Sequence, residues 1–468
     1  MEILSRSLRV LCLQPLVSYH PKCSQLGLTH LIFADDLMVF VRGDVPSVLA
    51  VQQALASFAS ISGLHANVDK TQIYFGGVAQ EVRAAILTTT GFSEGSFPFR
   101  YLGLSLGPSR YSVSMYDSLI LKIQTKLQHW SAKSLTYAGK AQLLDVVIFG
   151  IENFWCSSVL LPKTVLHQVN HLSRNFFWGI KDGERKMQFK SWNTICAPWH
   201  KGGFNIKNVQ VWNIALLLNW IWKFSNGSNS LWVNWHKKYV LKTDTIWSLT
   251  SKDQFSSSFK GILAARDVFL TKTGSPQVAE GLLDSWVAGG KLTISKVYEF
   301  LLDAPQQEDW FSVFFHQSIV PSHRVAALLA AQRKLATVDN LQHRGFQIVS
   351  RCSLCKLDLD THQHLFFSCP FSQAVWTALA QWQHLSLSHF DLLDLMQWSY
   401  GSQNGWAAAW FRTTLAAATY GIWMERNRRI FMNQEGTVQI VVNRVKYNVA
   451  VRLYMNPRFS KFVSQLSD

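Results

Sequence analysis

Two groups of residues in this sequence have types and spacings suited to chemistry. The first is Phe33-Ala34-Asp35-Asp36, two adjacent carboxylates inside the apolar run Leu31 to Phe40. Apolar flanks with β-branched and aromatic members predict two short strands, with the acids at the tip of a hairpin and the flanks buried. Paired carboxylates there suit a hard divalent cation such as Mg²⁺, which takes oxygen ligands. In phosphoryl transfer two such ions, roughly 3.5–4 Å apart, hold the attacking and leaving oxygens. The competing reading is a turn of the type I′ kind whose acids serve only its geometry. The second group is Cys352-x2-Cys355, followed by His362, His364 and Cys369. A Cys-x2-Cys turn presents two thiolates to one ion, and zinc takes four nitrogen or sulfur ligands. Either histidine completes the set. Three of the seven cysteines fall in this short stretch, which favours a zinc site over free core thiols.

The surroundings of both groups carry a resemblance. Leu28-Thr29-His30-Leu31-Ile32-Phe33-Ala34-Asp35-Asp36, with His20-Pro21-Lys22-Cys23 before it, resembles the catalytic Asp-Asp motif of plant LINE-type (non-LTR) retrotransposon reverse transcriptases. The stretch Ser62-Gly63-Leu64-His65-Ala66-Asn67-Val68-Asp69-Lys70-Thr71 is similar to the segment that follows that motif. Phe97-Pro98-Phe99-Arg100-Tyr101-Leu102-Gly103-Leu104 and Ser134-Leu135-Thr136-Tyr137-Ala138-Gly139-Lys140 resemble blocks on the thumb side. Lys201-Gly202-Gly203-Phe204 fits as well, although Asn205 stands where the family usually has Gly. Trp423-Met424-Glu425-Arg426-Asn427-Arg428-Arg429-Ile430-Phe431 closes a series that runs in family order over most of the chain.

The resemblance implies roles for particular residues. Asp35 and Asp36 would be the catalytic carboxylates, with Mg²⁺ as cofactor in a polymerase-competent protein. Lys70 would approach the incoming nucleotide, pairing a phosphate or donating a proton to the leaving group. His364 is preferred to His362, because the similar zinc-binding segment has its histidine directly before Leu-Phe-Phe. The ligand set is then Cys352, Cys355, His364 and Cys369. Four protein ligands close the site, so the Zn²⁺ is expected to be structural, fixing a basic module that grips template RNA or an RNA/DNA duplex.

The same resemblance sets a limit. A reverse transcriptase holds its metals with three carboxylates, the third from a strand upstream of the Asp-Asp hairpin, yet only Glu2 precedes Asp35 among the acids. The expectation is a truncated retroelement product whose Asp35 and Asp36 are vestigial and which does not polymerise DNA alone. A co-opted nucleic-acid-binding protein, or a polymerase completed by a second polypeptide, are the alternatives. Ribonuclease H activity, which some relatives carry beyond this point, is expected to be absent.

The elements that must position these groups are partly legible. Pro46 and Ser47 open a helix with Val48, Val51, Leu55 and Phe58 on one face, stopped near Gly63. A short strand is expected from Gln72 to Phe75. From Ser118 to Trp130 the apolar stripe is Leu119, Ile123, Leu127 and Trp130, with Lys122 and Lys126 opposite and Lys133 beyond. That basic stripe suits a phosphate backbone, or plain solvation. Lys140 joins it as a nucleic-acid contact. Trp212 to Lys223 predicts a buried helix, and Ser225–Ser230 and Ser251–Ser258 predict loops; no chemistry follows from this middle region. Ala407 to Phe431 predicts a helix ending in Arg426, Arg428 and Arg429, a polyanion-binding end or a solvated face.

Composition agrees. Net charge is +16, from 45 Lys and Arg against 29 Asp and Glu, which favours polyanionic partners. A 48% hydrophobic content with 16% charged residues argues against wholesale disorder. The 19 Trp fill cores or stack bases, and the core is the expected fate for most. Scattered cysteines make no disulfide framework, so a reducing compartment is expected rather than secretion, and a nuclear or cytoplasmic location is what the resemblance implies. No run of about 18 apolar residues predicts a membrane span. The expected fold class is α+β, and the resemblance implies a partial palm (1–78), a helical thumb-like region (79–180), a helical connector (181–290), a zinc-binding domain (291–380) and a basic helical tail (381–468).

Overall fold

The computed structural model describes residues 1–460 apart from 12–16, 108–111, 131–134, 182–183, 186–187, 189, 303–312, 315, 348–349 and 386–404. The architecture is α+β, mostly helical with small two-stranded sheets. Two compact units divide the chain. One comprises residues 1–116, 158–160 and 214–297, and the other 117–157, 161–213 and 298–468.

In the first unit, strands His30–Phe33 and Asp36–Val39 pair antiparallel, with Ile32 opposite Leu37 and Phe33 opposite Asp36. Side chains alternate along a strand, so Leu37 and Val39 share a face. Together with Val51, Ala54 and Leu55 they pack on Leu4, Leu8 and Phe58. The helix Val45–Ser62 is capped by Asp44, whose carboxylate accepts from the Ser47 amide at 2.9 Å, and it ends at left-handed Gly63. Helix start and stop fall where the sequence predicts them. Burial of the hairpin is less than expected. Its flanks are half-buried and Phe33 is 61% exposed, because a two-stranded ribbon this short is covered on one face only. Among the described residues one helix, Val45–Ser62, is long and apolar enough by length and composition to cross a membrane. Gln72–Ile73, shorter than the expected strand, pairs parallel with Ser93–Glu94 across the helix Gln80–Thr90.

The second unit is built mainly of helices. Asp117–His129 buries Leu119, Ile123 and Leu127 and exposes Lys122 and Lys126, as its periodicity predicts. Pro370–Trp382, Trp406–Met432 and Val438–Tyr454 pack on one another, and Pro321–Ala331 packs on the second of them. Several Trp, including Trp155, Trp178, Trp376 and Trp382, are buried. Gly203 meets a steric limit in this unit, since a Cβ there would collide with the Ala197 carbonyl oxygen. Asn205 has φ +56, in the left-handed region where Gly is favoured and Asn tolerated. Its place in a Gly position therefore costs little. The run from Trp212 forms the helix Val209–Ser225, whose residues from Ile214 onward belong to the first unit, with Leu217, Leu218, Ile221 and Phe224 buried.

Candidate metal centre

Local backbone geometry assembles the Cys-x2-Cys turn. The Cys352 amide donates to the Asp358 carbonyl at 2.6 Å, and the Lys356 amide donates back to the Cys352 carbonyl at 2.7 Å. Left-handed Lys356 (φ +61) turns the chain, and an antiparallel bridge between Arg351 and Leu359 closes the loop. The other two ligands flank one wide helical turn, His364–Ser368. The Cys369 amide donates to the His364 carbonyl at 2.7 Å, and Pro370 then starts the next helix. Trp376 fixes this turn by donating its indole N–H to the Phe366 carbonyl at 2.8 Å.

One ligand atom from each of Cys352, Cys355, His364 and Cys369 lies within 4.8 Å of the others. Cys352 Sγ and Cys369 Sγ are 3.9 Å apart, and Cys355 Sγ lies 3.2 Å from His364 Nε2. A tetrahedral zinc with bonds of about 2.3 Å to sulfur places its ligands roughly 3.8 Å apart, so the donor set fits that ion. Cys352 and Cys369 are fully buried and His364 nearly so. A hydrogen bond between the two buried thiols pushes that of Cys352 up and holds that of Cys369 down. His362 stays outside the group, its ring 5.1 Å from that of Phe366. A fifth residue joins in. Asp358 Oδ2 lies 3.4 Å from His364 Nδ1, the nitrogen facing away from the thiols, and orients the ring.

The other expected site residues are dispersed. Asp35 and Asp36 stand exposed at the hairpin tip. Of the two central turn residues only Ala34 is left-handed (φ +52), whereas a type I′ turn needs both. Among the described residues no third carboxylate, histidine or cysteine joins them in a metal-holding group. Lys70 is exposed in the turn Val68–Lys70, and Lys122 and Lys126 face solvent; Lys133 lies outside the described residues.

The structure sets Lys140 and the three arginines against partners within the chain. Lys140 is buried, its ammonium donating to the Phe177 carbonyl at 3.3 Å beside Tyr137 and Phe176. Arg426 is buried and pairs with buried Asp360 at 2.5 Å, and it also donates to the Ala336 carbonyl. Arg429 donates to the carbonyls of Ser353 and Leu354 at 3.2 and 2.8 Å, the two residues between the first cysteines. Glu425, fully buried, accepts from Arg428 at 3.3 Å, from Arg429 at 3.0 Å and from the Gly436 amide. The helix end that the sequence offers to a polyanion thus braces the Cys-x2-Cys turn from within. A run of charge alone misses this, because it does not register that the partners are buried acids and carbonyls. The spacing of Glu425 to Arg428 and Arg429, i to i+3 and i+4, is the sequence signal of internal pairing.

Comparison with known proteins locates this centre. Residues 292–376 match the family described as zinc-binding in reverse transcriptase. All four candidate ligands fall inside that range, so this segment is similar to the zinc-binding segment of reverse transcriptases. A protein of Arabidopsis thaliana provisionally named a ribonuclease H protein is 28% identical over 191 residues, 39% of this chain. The match spans 31% of that relative's length.

Proposed function

We propose that this is a reverse-transcriptase-derived protein of a LINE-type non-LTR retroelement, which binds nucleic acid on a zinc-braced module and does not polymerise DNA by itself. The observation that carries this reading is the closed Cys3His group inside the matched segment. Four protein ligands leave no position for substrate, so Zn²⁺ would hold the fold of the module rather than act on a bond. Cys352, Cys355, His364 and Cys369 would hold it. Lys70, Lys122 and Lys126 are exposed cations in keeping with phosphate contacts, and a net charge of +16 favours RNA or an RNA/DNA duplex as partner. The exposed Asp35-Asp36 pair supports the inactive reading, since two carboxylates on one turn under-coordinate two Mg²⁺ ions.

Metal analysis and primer extension test this together. The purified chain is expected to hold one zinc, lost in Cys352→Ser and Cys369→Ser. It is expected to bind RNA with an affinity that falls steeply between about 50 and 200 mM salt. Extension of a primer on an RNA template with Mg²⁺ that disappears in Asp35→Asn would overturn the inactive reading. RNA binding indifferent to salt would overturn the phosphate contacts.

A further inference from the structure

The helix Val438–Tyr454 is apolar on two sides. Its inner face, Val441, Val442, Val445, Val449 and Leu453, is buried, and the helix packs on Pro370–Trp382 and Trp406–Met432. That face accounts for its folding. The outer face is occupied at a second helical stripe, Ile440, Arg444, Tyr447, Val451 and Tyr454, spaced i, i+4, i+7, i+11 and i+14. Ile440 is 46% exposed, Tyr447 69% and Tyr454 67%. A surface helix is ordinarily polar on its solvent side, so a contiguous exposed stripe with two aromatic rings marks a binding face.

Charge narrows the partner. The helix carries Arg444, Lys446 and Arg452 and no acid, and exposed Arg458 follows Tyr454 by four residues. Lys446 sits over the Trp382 ring and Arg452 donates to the Gln317 carbonyl, whereas Arg444 stands exposed within the stripe; Arg458, beyond the end of the helix, lies near His316. Arginine interleaved with exposed tyrosine suits bases that present their faces together with a phosphate backbone. A duplex hides those faces, whereas a single strand offers them. Seven residues separate the two tyrosines, about 10 Å along the helix axis at 1.5 Å per residue, so each ring takes a different base.

We propose that this outer face binds single-stranded nucleic acid, with Tyr447 and Tyr454 stacking on bases and Arg444 engaging a phosphate. The proposal rests on the nucleic-acid reading above and names a surface that the zinc ligands and the lysines do not include.

The test uses the full-length, zinc-loaded chain and fluorescence anisotropy with an oligouridine and with a duplex of the same length. The double variant Tyr447→Ala/Tyr454→Ala is expected to lose about tenfold or more in affinity for the single strand, with duplex binding unchanged. Tyr447→Phe/Tyr454→Phe should retain binding, because stacking needs the ring and not the hydroxyl. Arg444→Ala should weaken binding and lower the salt slope by about one. Zinc content and circular dichroism of each variant check that the fold is intact. If the double alanine variant binds the single strand as tightly as the parent, this proposal falls and the nucleic-acid reading stands. If the parent binds neither probe, both fall. If sedimentation shows a dimer that the alanine variant dissolves while RNA affinity is unchanged, the face serves a second copy of the chain and the proposal is overturned.

Discussion

His364 presents its two ring nitrogens to different partners, Nε2 to the thiols and Nδ1 to the Asp358 carboxylate. A ring held this way carries its proton on Nδ1 and leaves Nε2 as the metal donor. Asp358 is mostly exposed, so its effect is orientation more than charge. Asp358→Asn is therefore expected to keep one zinc per chain while lowering affinity about tenfold, at the low end for such partners. Competition with a chromogenic chelator measures this; an affinity equal to the parent's would show that the ring is oriented by other contacts. The cysteines are legible in the sequence because ligand spacing is a local property, whereas spacing leaves His362 and His364 open and only the resemblance points to His364. Asp358 is not, because one acid in a short loop looks like any solvated residue until the ring beside it is placed.

At the scale of the element, the helix Trp406–Met432 carries one acid, Glu425, and it is the best buried of the charged groups at that end. Glu425 holds two arginines and the Gly436 amide, and through Arg429 it fixes the backbone between Cys352 and Cys355. Removing one partner of such a buried network leaves uncompensated charge. Glu425→Ala is expected to destabilise this unit by about 3–5 kcal/mol, read as a lower denaturation midpoint, and to weaken zinc retention with it. A variant as stable as the parent would mean that the arginines find solvent without cost. The helix and its end near Phe431 follow from sequence periodicity, and so do the bounds of Val45–Ser62 and the stripe of Asp117–His129. The roles of Arg426, Arg429 and Lys140 do not. Their residue types predict surface cations, yet each is turned inward by partners that a helical wheel does not contain.

For the molecule as a whole, stability should depend on pH through groups that folding buries. Burial lifts the Glu152 carboxyl from 4.5 to about 8. Between those values the folded chain binds a proton that the unfolded chain does not, so the contribution of Glu152 is fully present below about 4.5 and is lost as pH rises towards 8. Each pH step of one between the unfolded and folded values is worth about 1.4 kcal/mol, which makes the loss a matter of a few kcal/mol. Glu152→Gln is expected to raise the thermal midpoint relative to the parent at pH 8 and to change it little at pH 4.5. Comparing the variant with the parent separates this from the zinc thiolates, whose protonation in acid acts in the opposite direction. Parallel pH profiles for the two proteins would remove Glu152 as the cause.

The sequence by itself determined the cysteine donors of the candidate metal centre, the Asp-Asp hairpin and the limits of the main helices. Each of these depends on residues within a few positions of one another: a ligand spacing, a cap, a period of 3.6. Tertiary structure alone decided which charges are internal. Arg426 meets Asp360 across 66 positions of sequence, and Arg429 reaches Leu354 across 75. Burying a cation is costly unless such a partner is present, so only the packing of distant segments separates an arginine that braces the zinc turn from one that faces a phosphate.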